Sequence, residues 1–588
     1  MGILKTIKPV FWLANGMEAC ERLAYFGIRA ILPLMMVSVG TGGLGLSMSD
    51  KGIILGLWAL IQCIVPMVSG GFSESFGYKK SLIIAFIINI CGYLLMANIT
   101  HITTLITGSS VLTDPFVVQV NFWLMLLAGC TIGVGTAIFK PPVGGVVAKS
   151  LDDSNSGLGF GIFYWVVNIG GFLAPMAASA LRGTDEAPTW DYVFYGAAFV
   201  TVFNLLITLI LFKEPSRECP HEHETAIISQ EANAEGETIA SPPASESVQD
   251  AEKEAPETDV QDAPSVKAEA TVNAEATKPV PAQIDAVSEQ ITSQKSKKAS
   301  KVFVETLAIL WNDKMTLLFL LIVSGFWLMF MQLWDLLPNF LDEWVDRRSV
   351  GNWLSQFSIF KSFLESDNSL KPEMIINIDS AAIICLVLPL SALFARFRMM
   401  TALILGMVIS VIGFVMTGMF TSGLMACIAV FIFAIGEIIC SPKFDEYIGM
   451  TAPEDKKAIY MGFVNIPFAI GWALGNFLSG PLYETFSSKP MLAKKYLIEQ
   501  GVDPTSLNEI TADELMQKLQ TVTNTSDAFE ATHVLWETYT PWIVWIILGS
   551  IGFASMVGMI VFYYKSGMAA KDKLEQAKKT KSPESVPA

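Results

Sequence analysis

Residues 18–29 read Glu18-Ala19-Cys20-Glu21-Arg22-Leu23-Ala24-Tyr25-Phe26-Gly27-Ile28-Arg29, set inside an apolar run that opens near Pro9. A charge at bilayer depth costs about 3 kcal/mol or more, so such a residue turns toward a partner or a water-filled cavity. At about 100° per residue, Glu18, Glu21, Arg22, Tyr25 and Arg29 fall on one stripe roughly 100° wide. Cys20, Leu23, Ala24 and Gly27 lie on the opposite side, where lipid is tolerated. Two acids and two bases in one span exceed what packing alone requires. Internal pairing of Glu18 with Arg22, four residues apart, is the competing structural reading.

Working outward, the pattern of long apolar runs repeats. The chain has 588 residues, 52% hydrophobic and only 16% charged, against about 25% charged in soluble domains. Runs of roughly 20 residues, enough to cross about 30 Å of hydrocarbon, begin near Pro9, Gly52, Ser81, Val118, Gly157, Tyr192, Met315, Ile378, Thr401, Met425, Met461 and Trp542. This predicts an all-α membrane protein of twelve transmembrane helices. Its first helix is expected to be retained, because Glu18, Glu21 and Arg22 interrupt any signal-peptide core.

The two sets of six flank a polar segment, so the expected domains are 1–213, an acidic linker 214–302, a second bundle 303–566 and a basic tail 567–588. Between Arg217 and Gln294 there are 17 acidic and 4 basic side chains, which accounts for most of the net charge of −16. Such a segment buries too little apolar area to fold and is expected to be disordered. Outer loops 347–373 and 484–536 carry amphipathic stretches expected to form surface helices. Lysines and arginines cluster at Lys79–Lys80, Arg396–Arg398, Lys456–Lys457 and Lys565–Lys581, which places both termini and the linker in the cytoplasm by the positive-inside rule and the chain in a plasma or inner membrane. The cysteines form no CxxC pair and read as small buried hydrophobes. None of the four histidines lies in a span and no nucleophile–base arrangement or metal motif does, so neither an enzyme, a cofactor, nor a nucleic-acid partner is expected. The chain is expected to be a monomer.

Six plus six helices around a central linker is the layout of the major facilitator superfamily. Gly70-Gly71-Phe72-Ser73-Glu74-Ser75-Phe76-Gly77-Tyr78-Lys79-Lys80 resembles that superfamily's G-x-L-A-D-R-x-G-R-K loop, with Glu74 in the capping and gating position. Within it, Glu18 to Gly27 resembles the E-x-x-E-R-F-x-Y-Y-G signature of the proton-dependent oligopeptide transporter family. Gly135 to Lys140-Pro141 resembles its G-x-G-x-x-K-P, Phe163-Tyr164 through Asn168 to Gly170 its F-Y-x-x-x-N-x-G, and Gly436-Glu437 through Ser441-Pro442 to Ala452-Pro453 its G-E-x-x-x-S-P…A-P. Phe326-Trp327, Gln332 and Ile376-Asn377 also match.

The residues supply the chemistry. Lys140 is a lone amine deep in helix four, and an unpaired ammonium there should seek the acids of helix one; snorkelling to the interface is the alternative. Protonating the acid, or supplying a substrate carboxylate, would break that pair. Glu437 sits among isoleucines in the second half, with pairing to Lys443 as the bland alternative. The resemblance implies proton coupling through Glu18, Glu21, Arg22, Lys140 and Glu437, with protons the coupling ion. It implies a substrate site of Tyr25, Arg29, Lys140, Tyr164, Asn168, Gln332, Glu437 and Ser441, taking small peptides with their amino end at Glu437 and their carboxylate at the bases. Charge complementarity and the resemblance make Asp335 a candidate partner for Arg29 across the outer mouth, with an acid lining a water-filled vestibule as the alternative. Helix two has no cavity tyrosine and helix seven no Gly-Ser after the glutamine, which puts the substrate in doubt. Another small zwitterion or anion, or a non-transporting membrane sensor, are the alternatives.

Overall fold

The computed structural model describes residues 7–151, 156–213, 308–507 and 510–570, apart from 41, 395, 454–459, 461 and 569. The linker at 214–302, the tail beyond residue 570 and the side chain of Glu74 lie outside the described residues. The described residues are almost entirely helical. In the first half, α1 (Pro9–Val37), α2 (Met48–Phe76), α3 (Tyr78–Ala97), α5 (Pro115–Lys149), α6 (Ser156–Leu181) and α7 (Trp190–Ile210) are long, with a short α4 (Ile99–Thr107) between α3 and α5. In the second half, one broken helix comprises α8 (Lys314–Phe330), α9 (Gln332–Asp335) and α10 (Leu337–Trp344). It is followed by a short α11 (Arg348–Leu354) and then α12 (Pro372–Phe394), α13 (Met399–Met419), α14 (Gly423–Thr451) and α15 (Asn465–Phe486). Three further helices, α16 (Lys489–Glu499), α17 (Ala512–Thr523) and α18 (Ala528–Tyr539), precede α19 (Ile543–Lys565).

Ten of these segments are long and apolar enough to cross a membrane by composition alone. The other two long helices are α1, whose four charges set it apart, and α15, of 22 residues. With them the described residues hold twelve long helices, consistent with the twelve spans the sequence predicts.

Local chemistry sets the ends. Ser47 and Asp50 form a reciprocal capping box at the start of α2, which satisfies backbone donors that no helical turn reaches. Asp114 accepts from Phe116 N at 2.9 Å and Pro115 opens α5. Gly77, at φ 102°, takes a backbone conformation that a side chain would oppose, and it separates α2 from α3. The loop 484–536 carries α16 and α17, and α18 runs past its end; α11 and the 3-10 turn Ser358–Phe363 occupy the loop before α12.

Each half has its own apolar core. Tyr25, Ile28, Trp58, Tyr93 and Phe194 pack in the first, and Phe319, Trp327, Phe330, Phe433, Trp545 and Phe562 in the second. The ends at Pro9, Phe76, Lys149, Ile210, Thr451 and Lys565 define one face, called the near face; those at Val37, Ala97, Leu181, Trp344 and Phe486 define the far face.

The halves meet tightly toward the far face, where α2 packs on α15 and α6 on α12. A Cβ on Gly52 would stand 2.4 Å from Asn476 O, and one on Gly480 2.5 Å from Met48 O. Only hydrogen atoms fit between these backbones. Larger side chains forced into such a contact cost about 1–3 kcal/mol. Gly52→Leu is therefore expected to shift the population toward a separated far face, read as a lengthened distance between spin labels on exposed Leu105 and Ile359. An unchanged distance distribution would remove this crossing as a determinant of closure.

Candidate functional site

The stripe on α1 is buried, and its charges are paired. Arg22 Nε lies 3.0 Å from Glu18 and its Nη2 2.6 Å from Glu21, while its guanidinium sits 5.7 Å from the Tyr25 ring centre and 5.6 Å from that of Phe26. Glu18 and Arg22 thus pair as their four-residue spacing allows. Glu21, which is 2% exposed, is reached by Lys140 and by the Thr136 hydroxyl, both on α5. Lys140 is exposed at the chain's own surface, yet lies within electrostatic reach of Glu21, Glu18, Arg22 and Cys63. Among the described residues the ion pairs of the α1 acids are with Arg22. Tyr25 donates to Gln62 Oε1 at 2.7 Å.

The second half presents acids. Glu437 is partly exposed and Asp379, from α12, is 1% exposed; the two carboxyl groups lie within hydrogen-bonding reach of each other. Lys443 pairs with Glu446 at 2.6 Å, so the pairing of Glu437 with Lys443 does not form. Across from them, Tyr164 on α6 is 46% exposed and within reach of Glu437, Asp379 and Asp445. The α1 cluster thus gathers bases with acids in the first half, while Glu437 and Asp379 of the second half have Tyr164 of the first within reach.

The other site residues read from sequence, Arg29 apart, have their neighbours within their own half. Asn168 Nδ2 donates to Tyr164 O one turn back at 2.8 Å. Gln332 is fully buried; its Nε2 donates to Leu328 O at 3.1 Å and lies against Gly475 of α15. Ser441 lines a small apolar void with Val323, Phe326, Trp327 and Phe444, inside the second half.

Arg29 and Asp335 are joined across the halves. Arg29 is also stacked between Trp58 at 5.4 Å and Trp472 at 5.2 Å, and Asp335 accepts from Trp472 Nε1 at 2.5 Å and Asn476 Nδ2 at 2.8 Å. Pro338 has no N–H to give the turn before it, and the helix is broken there. Asp335 O, at the break, accepts from Lys51 Nζ at 2.8 Å, which also donates to Asn339 Oδ1 at 2.6 Å. Asn339 Nδ2 donates to Pro33 O at 2.9 Å, and Ser49 Oγ to Glu484 at 2.5 Å.

A second bridge stands beside this one. Arg182, at the far end of α6, pairs with Glu373 at 2.7 Å and with Glu365. Asp185 N donates to Glu365 Oε2 at 2.9 Å, and Lys371 Nζ to Ser179 O at 2.7 Å and Gly183 O at 2.6 Å. Burial pushes the Glu365 carboxyl up to about 7, against the pull of Arg182 and with Asp185 and Glu373 adding to the rise. Burial likewise pushes Lys371 below the usual amine range. Neither Lys51, Arg182, Glu365 nor Asp379 was singled out by the sequence pattern. Lys51 and Arg182 sit at the margins of their apolar runs and read as loop charges; Asp379 lies one residue inside its run and carries the same signal as Lys140.

A family model described as Major Facilitator Superfamily matches residues 17–476. A Bacillus subtilis protein named as an uncharacterized transporter, YclF, is 30% identical over 33% of this chain and 35% of its own length. A di-/tripeptide transporter of Lactococcus lactis is 25% identical over 35% of this chain and 36% of its own. The matched stretch thus spans about a third of the length of these curated relatives. Among solved structures, tetrameric PepTSo2 superimposes with a TM-score of 0.55 at 16% identity, covering 96% of this chain and 99% of that one. A POT family transporter with a bound thioalcohol-conjugated peptide gives 0.56 at 14%, covering 96% and 99%. Two six-helix halves closed on each other at one end, with the family model spanning most of both, make this chain a member of the Major Facilitator Superfamily, a multi-pass membrane protein.

Proposed function

We propose that the chain is a symporter that uses the proton gradient to take up di- or tripeptides by alternating access. The observation that carries this reading is the buried Glu18–Arg22–Glu21 cluster within electrostatic reach of Lys140, together with Glu437 in the second half. A proton on Glu21 frees Lys140 to meet a substrate carboxylate, while Glu437 meets the amino end, with Tyr25, Tyr164 and Arg29 beside the path. A bound zwitterion is then neutralised at both ends, and each charge keeps a partner when the halves rock about the central site. The named activities of the Lactococcus relative and of a Serratia proteamaculans dipeptide and tripeptide permease, 24% identical over 34% of the chain, support the peptide as substrate. In this reading the near face is cytoplasmic, as the lysine-rich loops require, in a plasma or inner membrane, and Glu74 belongs to its gate. The far face is external and shut by Arg29–Asp335 and the Arg182 bridge. The working unit is a single chain. Asn168, Gln332 and Ser441 shape the site from behind.

Purified protein in liposomes should take up labelled dialanine at least ten times faster with an inward proton gradient than without one. Glu21→Gln should abolish the gradient-dependent part and leave exchange at equal pH. Uptake indifferent to the gradient would make the protein a uniporter, and no uptake of any dipeptide would remove peptides as its cargo.

The external bridge adds a pH dependence. Glu365 in the closed state takes its proton near pH 7, whereas a water-exposed glutamate does so at about 4.3. The closed state therefore binds the extra proton between those values, so closure strengthens as external pH falls from about 7 toward 4.3. Spin-label distances across the far face should shorten over that window in the native chain and lose the dependence in Glu365→Gln. A dependence of opposite sign would refute the assignment.

A further inference from the structure

The buried pair Asp379–Glu437 has a feature that pairing with a substrate alone does not explain. Both oxygens of Asp379 and the Oε2 of Glu437 are enclosed and find no N–H or O–H donor among the described residues. Yet the two groups stand within hydrogen-bonding reach of each other. Two ionised carboxylates have nothing to donate, so the contact is attractive only with a proton between them. No Lys or Arg lies within electrostatic reach of either group among the described residues. From α6, Tyr164 faces the pair; along α14 stand Asp445 and the Lys443–Glu446 pair. At the far end of α12, Arg182 is held by Glu373 and Glu365, and on the α10 side Asp342 is held by Arg347, with Glu343 bonded to Tyr483 and Lys489 N.

From this geometry we infer that Asp379 is a positioning residue that shares one proton with Glu437, so that the pair presents a single negative charge to the amino end of the substrate even in acid. Glu437, partly exposed, makes the contact; Asp379 stays behind it. A carboxylate that accepts from a neighbouring carboxylic acid gives up its charge less readily than one standing alone, and like charges so close resist a second ionisation. The pair therefore keeps one proton and one charge over a wider pH range than either group would alone. A substrate ammonium adds to it with no proton released: the bound site holds one ammonium, one proton and two carboxyl groups, and is neutral. The consequence for transport is a division of labour. The cluster on α1 loads and unloads protons while the acidic wall keeps its grip on the substrate in the same acidic medium. This rests on the reading that Glu437 receives the amino end.

The test is the pH dependence of dialanine binding to the purified full chain without a gradient. The native profile between pH 7 and pH 5, which carries the proton loading of the α1 cluster, is the reference, and each variant is read as its departure from it. Asp379→Asn should lose about tenfold or more over that interval, because a lone buried Glu437 protonates and each step of one in pH then costs about a factor of ten in its ionised fraction. Asp379→Glu, which restores a second carboxyl, should return toward the native profile. A profile in Asp379→Asn that is unmoved, or moved to lower pH, overturns the inference. An independent reading needs no substrate. The infrared carbonyl band of a protonated carboxyl should persist in the native protein at pH 8 and vanish in both Asp379→Asn and Glu437→Gln. Its absence from the native protein overturns the shared proton whether or not dialanine binds, whereas failure to bind dialanine with the band present sinks only the peptide reading.

Discussion

A charge taken out of water has to find its opposite, and here the opposites are placed in different halves of the molecule. Arg29 belongs to α1 and Asp335 to the broken helix; Arg182 closes α6 while Glu365 and Glu373 lie before and within α12. Removing one partner of a buried pair costs about 3–5 kcal/mol because the other is left stranded. Separation of the halves avoids that cost only by letting water reach both. The bridges are therefore either made together or hydrated together, and an intermediate with one half-broken pair in a dry interior is the arrangement the chain has to avoid. This makes the contact between halves a two-state element rather than a graded one.

The bridges work because the backbones beneath them are rigid and close. Gly52 and Gly480 let α2 and α15 meet with no side chain between them. Asp335 is held by Trp472 and Asn476 from α15 as well as by Arg29, so its carboxylate is aimed before the other half arrives. The carbonyl that Lys51 uses lies at the helix break before Pro338. Irregular backbone at such depth is tolerated only where protein or a cavity satisfies it, and here the satisfying group comes from the opposite half. The break therefore belongs to the closed state as much as to the helix itself.

How much of this was legible in the sequence depends on the range over which each signal acts. The twelve spans follow from hydropathy, which is local, and the polar stripe on α1 from helical periodicity, which is also local. The Arg29–Asp335 pair follows from charge complementarity and family resemblance. Gln332 and Ser441 carry motif identity but lie inside the second half, since a motif places a residue on a helix and not at an angle to its neighbours. One residue of rotation is about 100°, enough to exchange a cavity for a core. Glu365 and Arg182 are 183 residues apart in stretches that look like ordinary loops, and no local pattern joins them. Asp379 is different. It is a carboxylate within an apolar run, and the rule that selects Lys140 selects it equally.

The two ends of the molecule are consequently not equivalent. Toward the far face every named charge in the bridges has a counter-charge or a hydrogen-bond partner from the protein itself. Toward the centre the balance is incomplete: both oxygens of Asp379 and the Oε2 of Glu437 find no donor among the described residues. A structure satisfied at one end and unsatisfied in the middle gains most from a ligand that carries the missing charges at the right separation. Occupancy by such a ligand lowers the cost of a dry centre, and with it the cost of bringing the halves together on the near side as well. The free energy for changing state then comes from differential binding to the two arrangements, which is the only source from which a ligand can supply it. On the proposed reading, a molecule charged at one end alone would leave either Lys140 or Glu437 stranded in that dry state, and so would bind without driving the cycle.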